Sequence, residues 1–348
     1  MFEYIKHINV VTKDFARSMD FYQKKLGMRS VYGPFGVFGP EMAAVFGITN
    51  TNTESPLAAE IACFLRWSDD DTDTVLDLGW WLSPPAEGEA YRDPTNVGHQ
   101  RLDFKVGDID RVYQDLVRDG VAFNSPPVSV DLGREVRFCH FFDPDGVRLG
   151  LIQDSAAEAS GPGFERIHCV STCVRDLEAS IGMYRDVLGM EVVLGPFALA
   201  GPQVAQAFGL PHGQDAHAVG AWLRPGKAAG TLFELIEWKT PPTSGEPYPL
   251  STPEGHSFGN HVGIVRVAMW VDDLQGTYRE LKERGARFIT PPVVTDMGPD
   301  CGYCCFPNLD GTVLQLYKYV RADERTYGER SLGVWGEGAK YHTADAQL

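Results

Sequence analysis

The chain is short of positive charge. Its 348 residues carry 31 Lys and Arg against 47 Asp and Glu, for a formal net charge of −16. No basic stripe offsets that balance, so a phosphate backbone would be repelled and a nucleic-acid partner is not expected. Long apolar runs are missing too: none approaches the ~20 residues of a membrane span. The opening Met1-Phe2-Glu3-Tyr4-Ile5-Lys6-His7 lacks the basic-then-apolar order of a signal peptide. Seven Cys is an odd count in a chain long enough to need no staples, which reads as reduced thiols and a cytoplasmic protein. No nucleophile elbow and no glycine-rich strand-to-helix phosphate loop occurs. Cys301-Gly302-Tyr303-Cys304-Cys305 holds one C-x-x-C without a second pair, a weak basis for zinc.

What the sequence does contain is a repeat. Residues 2–48 and 164–210 align without a gap: Asp14 on Asp176, Tyr22 on Tyr184, Leu26-Gly27-Met28 on Leu188-Gly189-Met190. Gly33-Pro34-Phe35 and Phe46-Gly47 likewise fall on Gly195-Pro196-Phe197 and Phe208-Gly209. A second pair of segments aligns Arg101 with Arg266, Asp108 with Asp273 and Asp145-Gly146 with Asp310-Gly311. A length suited to about two domains therefore divides as 1–154, a small polar linker 155–163, 164–320, and a polar tail 321–348.

Each half divides again. Every quarter opens with an alternating strand, then an Asp fit to cap a helix, then a helical stripe that ends at Gly. In the first quarter the stripe is Phe15, Met19, Tyr22 and Leu26, and Gly27 supplies the left-handed exit. Short β-rich runs follow, such as Val136–Phe142 and Val147–Gln153 around Asp143-Pro144-Asp145-Gly146. The order β-α-β-β-β, four times over, leaves one sheet face of each module uncovered, so the modules must pair. The expected fold is α+β, with four βαβββ modules forming two half-barrels by tandem duplication.

His7-Ile8-Asn9-Val10 through Asp14 to Leu26-Gly27, with the Asp143-Pro144-Asp145-Gly146 hairpin, resembles the modules of the vicinal oxygen chelate family over residues ~2–320. That family includes glyoxalase I, extradiol dioxygenases, acyl-CoA epimerases and drug-resistance binding proteins. The resemblance implies a metal held by residues of each module's first and last strands. Those positions are His7, Arg101, Cys169 and Arg266 on first strands, and Asp77, Gly150, Glu234 and Gln315 on last strands. Pairing neighbouring modules gives a first cavity of His7, Asp77, Arg101 and Gly150, and a second of Cys169, Glu234, Arg266 and Gln315.

Neither set suits a divalent cation. A guanidinium has no lone pair to donate and repels a cation, and glycine has no side chain. The expectation is therefore no cofactor. The alternative is one divalent metal (Fe, Mn or Zn) on a displaced His7, His99, Asp77 set, since His99 shares a strand face with Arg101. Strand alternation aims His7 and Asn9, Arg101 and Asp103, Cys169 and Ser171, and Arg266 and Trp270 inward, with Arg148 and Tyr317 as further lining candidates.

Arg101 beside Asp77 or Asp103 reads equally as a structural ion pair or as an oxyanion hole served by His7 as acid or base. Glu234 with Arg266 has the same two readings. Three functions follow. One is a metal-independent lyase or isomerase that removes a proton next to a carbonyl of an aromatic or polycyclic substrate. It uses His7, Asp77, Arg101, Glu234 and Arg266 catalytically, and His99, Asp103, Arg148, Cys169, Trp270, Gln315 and Tyr317 for binding. The second is a metal-dependent oxygenase or glyoxalase-like enzyme, and the third a binding protein without turnover. The partner is a small molecule held among the loops 33–60 and 195–230, and monomer and homodimer are both open.

Overall fold

The computed structural model describes residues 2–48, 58–155, 161–226, 230–251, 257–294 and 302–318. The tail 321–348, most of the linker, Cys301 and parts of both long loops lie outside the described residues.

Module one comprises β1 (Phe2–Val11), α1 (Phe15–Asp20), β2 (Arg29–Phe38), α2 (Pro40–Val45), β3 (Ala59–Arg66) and β4 (Val75–Ser83). Module two comprises β5 (Gly98–Val106), α3 (Ile109–Arg118), β6 (Val128–Asp131), β7 (Glu135–Phe142) and β8 (Arg148–Asp154). Module three repeats the first as β9 (Phe164–Cys173), α4 (Leu177–Gly182), β10 (Glu191–Ala200), α5 (Pro202–Ala207), β11 (His217–Arg224) and β12 (Leu232–Thr240). Module four has β13 (Gly263–Val271), α6 (Leu274–Glu283), β14 (Val293–Val294), β15 (Gly302–Pro307) and β16 (Val313–Lys318).

The four Asp residues expected to cap do so. Asp14, Asp108, Asp176 and Asp273 each accept a hydrogen bond from the backbone N–H three residues on, satisfying a donor that the first helical turn leaves open. The stripes of α1 and α4 continue through one wider π turn, Phe21–Lys25 and Met183–Val187, which buries Tyr22 and Tyr184 completely. The Tyr22 hydroxyl donates to Asp143 of the closing hairpin of module two at 2.9 Å. Two short helices, α2 and α5, begin at Pro inside stretches that the sequence presents as loops.

Pairing of the modules departs from expectation. One sheet runs β14-β15-β16-β13-β1-β4-β3-β2, and the other β10-β11-β12-β9-β5-β8-β7-β6. Module one is joined to module four through antiparallel β1 and β13, and module two to module three through antiparallel β5 and β9. β9 follows β8 in the chain and lies in the same sheet beside β5, whereas the connection from β4 to β5 carries the chain from one sheet to the other. Strands β5 and β13 are buried along their whole length. Leu102, Phe104, Val267 and Met269 belong to a core shared by both sheets and the helices.

Candidate functional site

The crossed pairing regroups the expected residues. His7, Asp77, Arg266 and Gln315 come together on one sheet, and Arg101, Gly150, Cys169 and Glu234 on the other. Both proposed cavity sets are thereby corrected: Arg101 is not the arginine beside His7, and Glu234 is not the acid beside Arg266.

In the first cluster, His7 and Asn9 on β1 face Arg266 on β13, while Asp77 on β4 and Gln315 on β16 close the sides. His7 Nε2 lies 3.1 Å from Gln315 Oε1 and 3.7 Å from Asp77 Oδ2. Arg266 Nη2 lies 3.7 Å from Asp77 Oδ2 and 3.7 Å from Glu60 Oε2, and Nη1 donates to Asn9 Oδ1 at 3.0 Å. Aromatic rings enclose these groups. Phe46 lies under the guanidinium at 4.2 Å, and Phe64 and Tyr317 flank the imidazole at 5.6 and 4.8 Å. Tyr317 thus reaches the site as expected, while Trp270 stacks on Tyr4.

Glu60 is a member that inspection of first and last strands overlooked. Its signal was a lone acid in the apolar strand Ala59–Arg66. The space for it comes from Gly79, where an added Cβ would meet Glu60 Oε1 at 2.1 Å.

Two buried carboxylates share one guanidinium, and the electrostatics follow. Burial pushes Glu60 up to about 7 and Asp77 up to about 6, with Arg266 opposing both shifts. Burial, then Arg266, hold His7 well below the usual imidazole range, so its ring is neutral. Four buried polar atoms of this cluster have no hydrogen-bond partner: His7 Nδ1, Glu60 Oε1, Asp77 Oδ1 and Arg266 Nε. Native interiors leave few such groups, and each asks for a partner such as water or a ligand.

The second cluster is more fully satisfied. Arg101 Nε donates to both Asp103 oxygens at 2.8 Å, and Nη2 donates to Glu234 Oε2 at 2.6 Å. Trp222 Nε1 donates to Glu234 Oε1 at 3.1 Å, and the Cys169 thiol to Asp103 at 3.2 Å. Burial pushes Asp103 and the Cys169 thiol upward. The ion-pair reading of Arg101 with Asp103 therefore holds. Gly150 is the counterpart of the space at Gly79: a Cβ there would meet Asp103 Oδ1 at 2.0 Å. Arg148 stands behind this cluster and donates to the carbonyls of Phe208 and Arg92 at 2.8 and 2.6 Å; burial lowers it to about 9.

The displaced metal set does not form. His99 Nδ1 is 2.9 Å from Thr172 Oγ1 and Nε2 is 3.0 Å from the carbonyl of Val313, so both ring nitrogens are engaged. Among the described residues, no group of three or more His, Cys, Asp or Glu could hold a metal ion.

A family model of the glyoxalase/bleomycin resistance protein/dioxygenase superfamily matches residues 4–151 and again 166–316. The chain belongs to this superfamily. The uncharacterized protein YwkD of Bacillus subtilis (strain 168) is 28% identical over 149 residues, spanning 43% of this chain and 95% of that protein. Glyoxalase I from Zea mays superposes with a TM-score of 0.62 at 18% identity, covering 93% of this chain and 95% of that one. A putative dioxygenase from Bacillus subtilis superposes at 0.55 with 12% identity, covering 92% and 86%. At these identities the two structures show a common fold.

The resemblance to this superfamily would place metal ligands at first- and last-strand positions, held in this cluster by His7, Asp77, Arg266 and Gln315. These residues do not fit that role. Arg266 is a permanent cation at the fourth position, 3.7 Å from the one carboxylate of the set.

Proposed function

We propose that the chain is a metal-independent isomerase or lyase that removes a proton next to a carbonyl of an aromatic substrate at the His7–Asp77–Arg266–Gln315 cluster. The observation that carries this reading is Arg266 set between two buried carboxylates whose proton affinities are raised toward neutrality. A base is most effective when its pKa lies near the working pH, which suits Asp77 at about 6 and Glu60 at about 7.

In the step envisaged, Asp77 takes the proton from the carbon beside the carbonyl. The C–H pair becomes a carbon–carbon double bond, and the carbonyl pair moves onto oxygen. Arg266 pairs with that oxyanion, and no water need reorganise around it. Protonation of the same or a neighbouring carbon by the acid form of Asp77 or Glu60 completes an isomerisation, and loss of a leaving group completes an elimination. Neutral His7 donates through Nε2 to Gln315 Oε1 and so holds the floor of the site. Phe46, Phe64 and Tyr317 supply faces for an aromatic ring.

The experiment is deuterium wash-in. The protein is incubated in heavy water with a panel of aryl ketones and aryl keto acids, and loss of the proton next to the carbonyl is followed by NMR. Wash-in that survives chelator and falls at least ~100-fold in Asp77→Asn and Arg266→Met supports the reading. Wash-in that chelator abolishes, or that both variants retain, overturns it.

A further inference from the structure

The short helices α2 and α5 hold the same place in modules one and three, yet they are fastened differently. Each delivers a phenylalanine onto the arginine of its cluster: the Phe46 ring lies 4.2 Å from the Arg266 guanidinium, and that of Phe208 5.0 Å from Arg101. Each follows a glycine of positive φ, Gly39 at 122° and Gly201 at 99°. That hinge is common to both, so a difference between them must lie at their C-terminal ends.

α5 is latched there. The last carbonyls of a helix have no partner within it. Ala207 O accepts from Asn124 Nδ2 at 3.0 Å and lies 3.0 Å from His140 Nδ1, which must therefore carry the ring proton. Phe208 O accepts from Arg148 Nη1 at 2.8 Å, and this buried guanidinium meets the negative end of the helix dipole. Module two thus sets three side-chain donors on two carbonyls.

Module four sets no such donors under α2. The repeat places Ile289, Cys305 and Val313 where module two has Asn124, His140 and Arg148. The strands agree: Asn124 N donates to His140 O and Ile289 N to Cys305 O, both at 2.9 Å, while Arg148 pairs with Phe142 and Val313 with Pro307. Cys305 and Val313 share an apolar cluster with Val45 and Phe46, and Ile289 packs against it. Among the described residues, one side chain donates to the end of α2, the Ser257 hydroxyl to Phe46 O. Apolar contact is non-directional and tolerates displacement, whereas a buried donor stripped of its acceptor does not.

The first cluster needs an opening. His7, Glu60, Asp77 and Arg266 are 3, 1, 3 and 4% exposed, so no ring reaches them unless a wall moves. We infer that α2 is a releasable lid: the first half-barrel opens when α2 turns about Gly39 and withdraws Phe46 from Arg266, while α5 stays latched and keeps the second closed. That an aromatic substrate enters by this route rests on the reaction proposed above. The opening itself does not.

Amide hydrogen exchange of the full-length, unliganded protein tests it on matched groups. The amides of Phe46, Gly47 and Ile48 donate to Met42, Ala44 and Ala43, as those of Phe208, Gly209 and Leu210 donate to Val204, Gln206 and Ala205. After correction for intrinsic rates, the first set should exchange at least ~10-fold faster. Arg148→Met should speed the second set and leave the first unchanged, and Asn124→Ala makes the same comparison should that variant not fold. A thiol reagent gives an independent reading. Cys305 shares its apolar cluster with α2 and Cys173 with α5, and burial pushes both thiols up to about 12. Mapped by fragment mass spectrometry, Cys305 should label at least ~10-fold sooner than Cys173. Equal exchange of the two amide sets, or Cys305 labelling no sooner than Cys173, overturns the lid in the unaltered protein. Deuterium wash-in enters neither reading, so the lid and the proposed reaction fail separately.

Discussion

His7 and Gln315 stand 308 residues apart in the chain and 3.1 Å apart in the fold. Their contact exists only because β1 pairs with β13, and it ties the first module to the last.

Cleavage between the halves tests that tie. A protease site inserted after Ser155 and cut in the folded protein yields two fragments, each owning one strand of both β1–β13 and β5–β9. The fragments should co-elute in gel filtration and part only in denaturant. Separation under native conditions would contradict the crossed pairing.

Glu60→Gln should change how stability depends on pH. The folded protein holds the Glu60 proton up to about 7, above the ordinary carboxyl value of 4.5, so it binds more protons than the unfolded chain between those values. Stability contributed by this group is therefore full below about 4.5 and is lost as pH rises through about 7. The variant mimics the protonated form at every pH. Its melting temperature relative to the unaltered protein should rise across that window and level off above it. The swing is on the order of 3 kcal/mol, and a flat difference would refute the shift.

The rate of wash-in should follow the same acids. Its kcat/KM is expected to rise between pH 5 and 7, roughly, as Asp77 and Glu60 lose their protons, and Glu60→Gln should leave a single ionisation near 6. A profile flat across this range would remove both carboxylates from the chemistry.

Gly150→Ala should displace Asp103 from Arg101, since the added carbon falls 2.0 Å from its carboxylate oxygen. Overpacking and a disturbed buried ion pair together predict a loss of about 3 kcal/mol in chemical denaturation. Shortening the acid in Gly150→Ala/Asp103→Ser should relieve the clash, so the double variant loses less than the sum of the two single ones. Strict additivity would show that the carboxylate does not occupy that space.

Much of this was legible in the sequence because it is local. The caps at Asp14, Asp108, Asp176 and Asp273, the stripe Phe15 to Leu26 and the inward aim of His7, Arg101 and Arg266 all follow from periodicity within a few residues of each position. The partner of each module was not legible. β1 could lie against either β5 or β13 with the same alternation satisfied, and only the long-range packing of the two sheets decides. Glu60 and His140 escaped for a different reason. Each is a single titratable group in an apolar strand, and the space that receives it is made by a glycine or an aromatic cavity from elsewhere in the chain.

The crossed pairing has a consequence for how such a chain can change. If the two halves were separate identical subunits, every substitution would appear in both clusters, and neither could be altered without the other. Fusion removes that constraint. Position 7 serves one cluster and its repeat partner, position 169, serves the other, so an imidazole persists in the first while a thiol stands in the second. One covalent link has made two equivalent sites independently adjustable, and their present residues show how far they have moved apart.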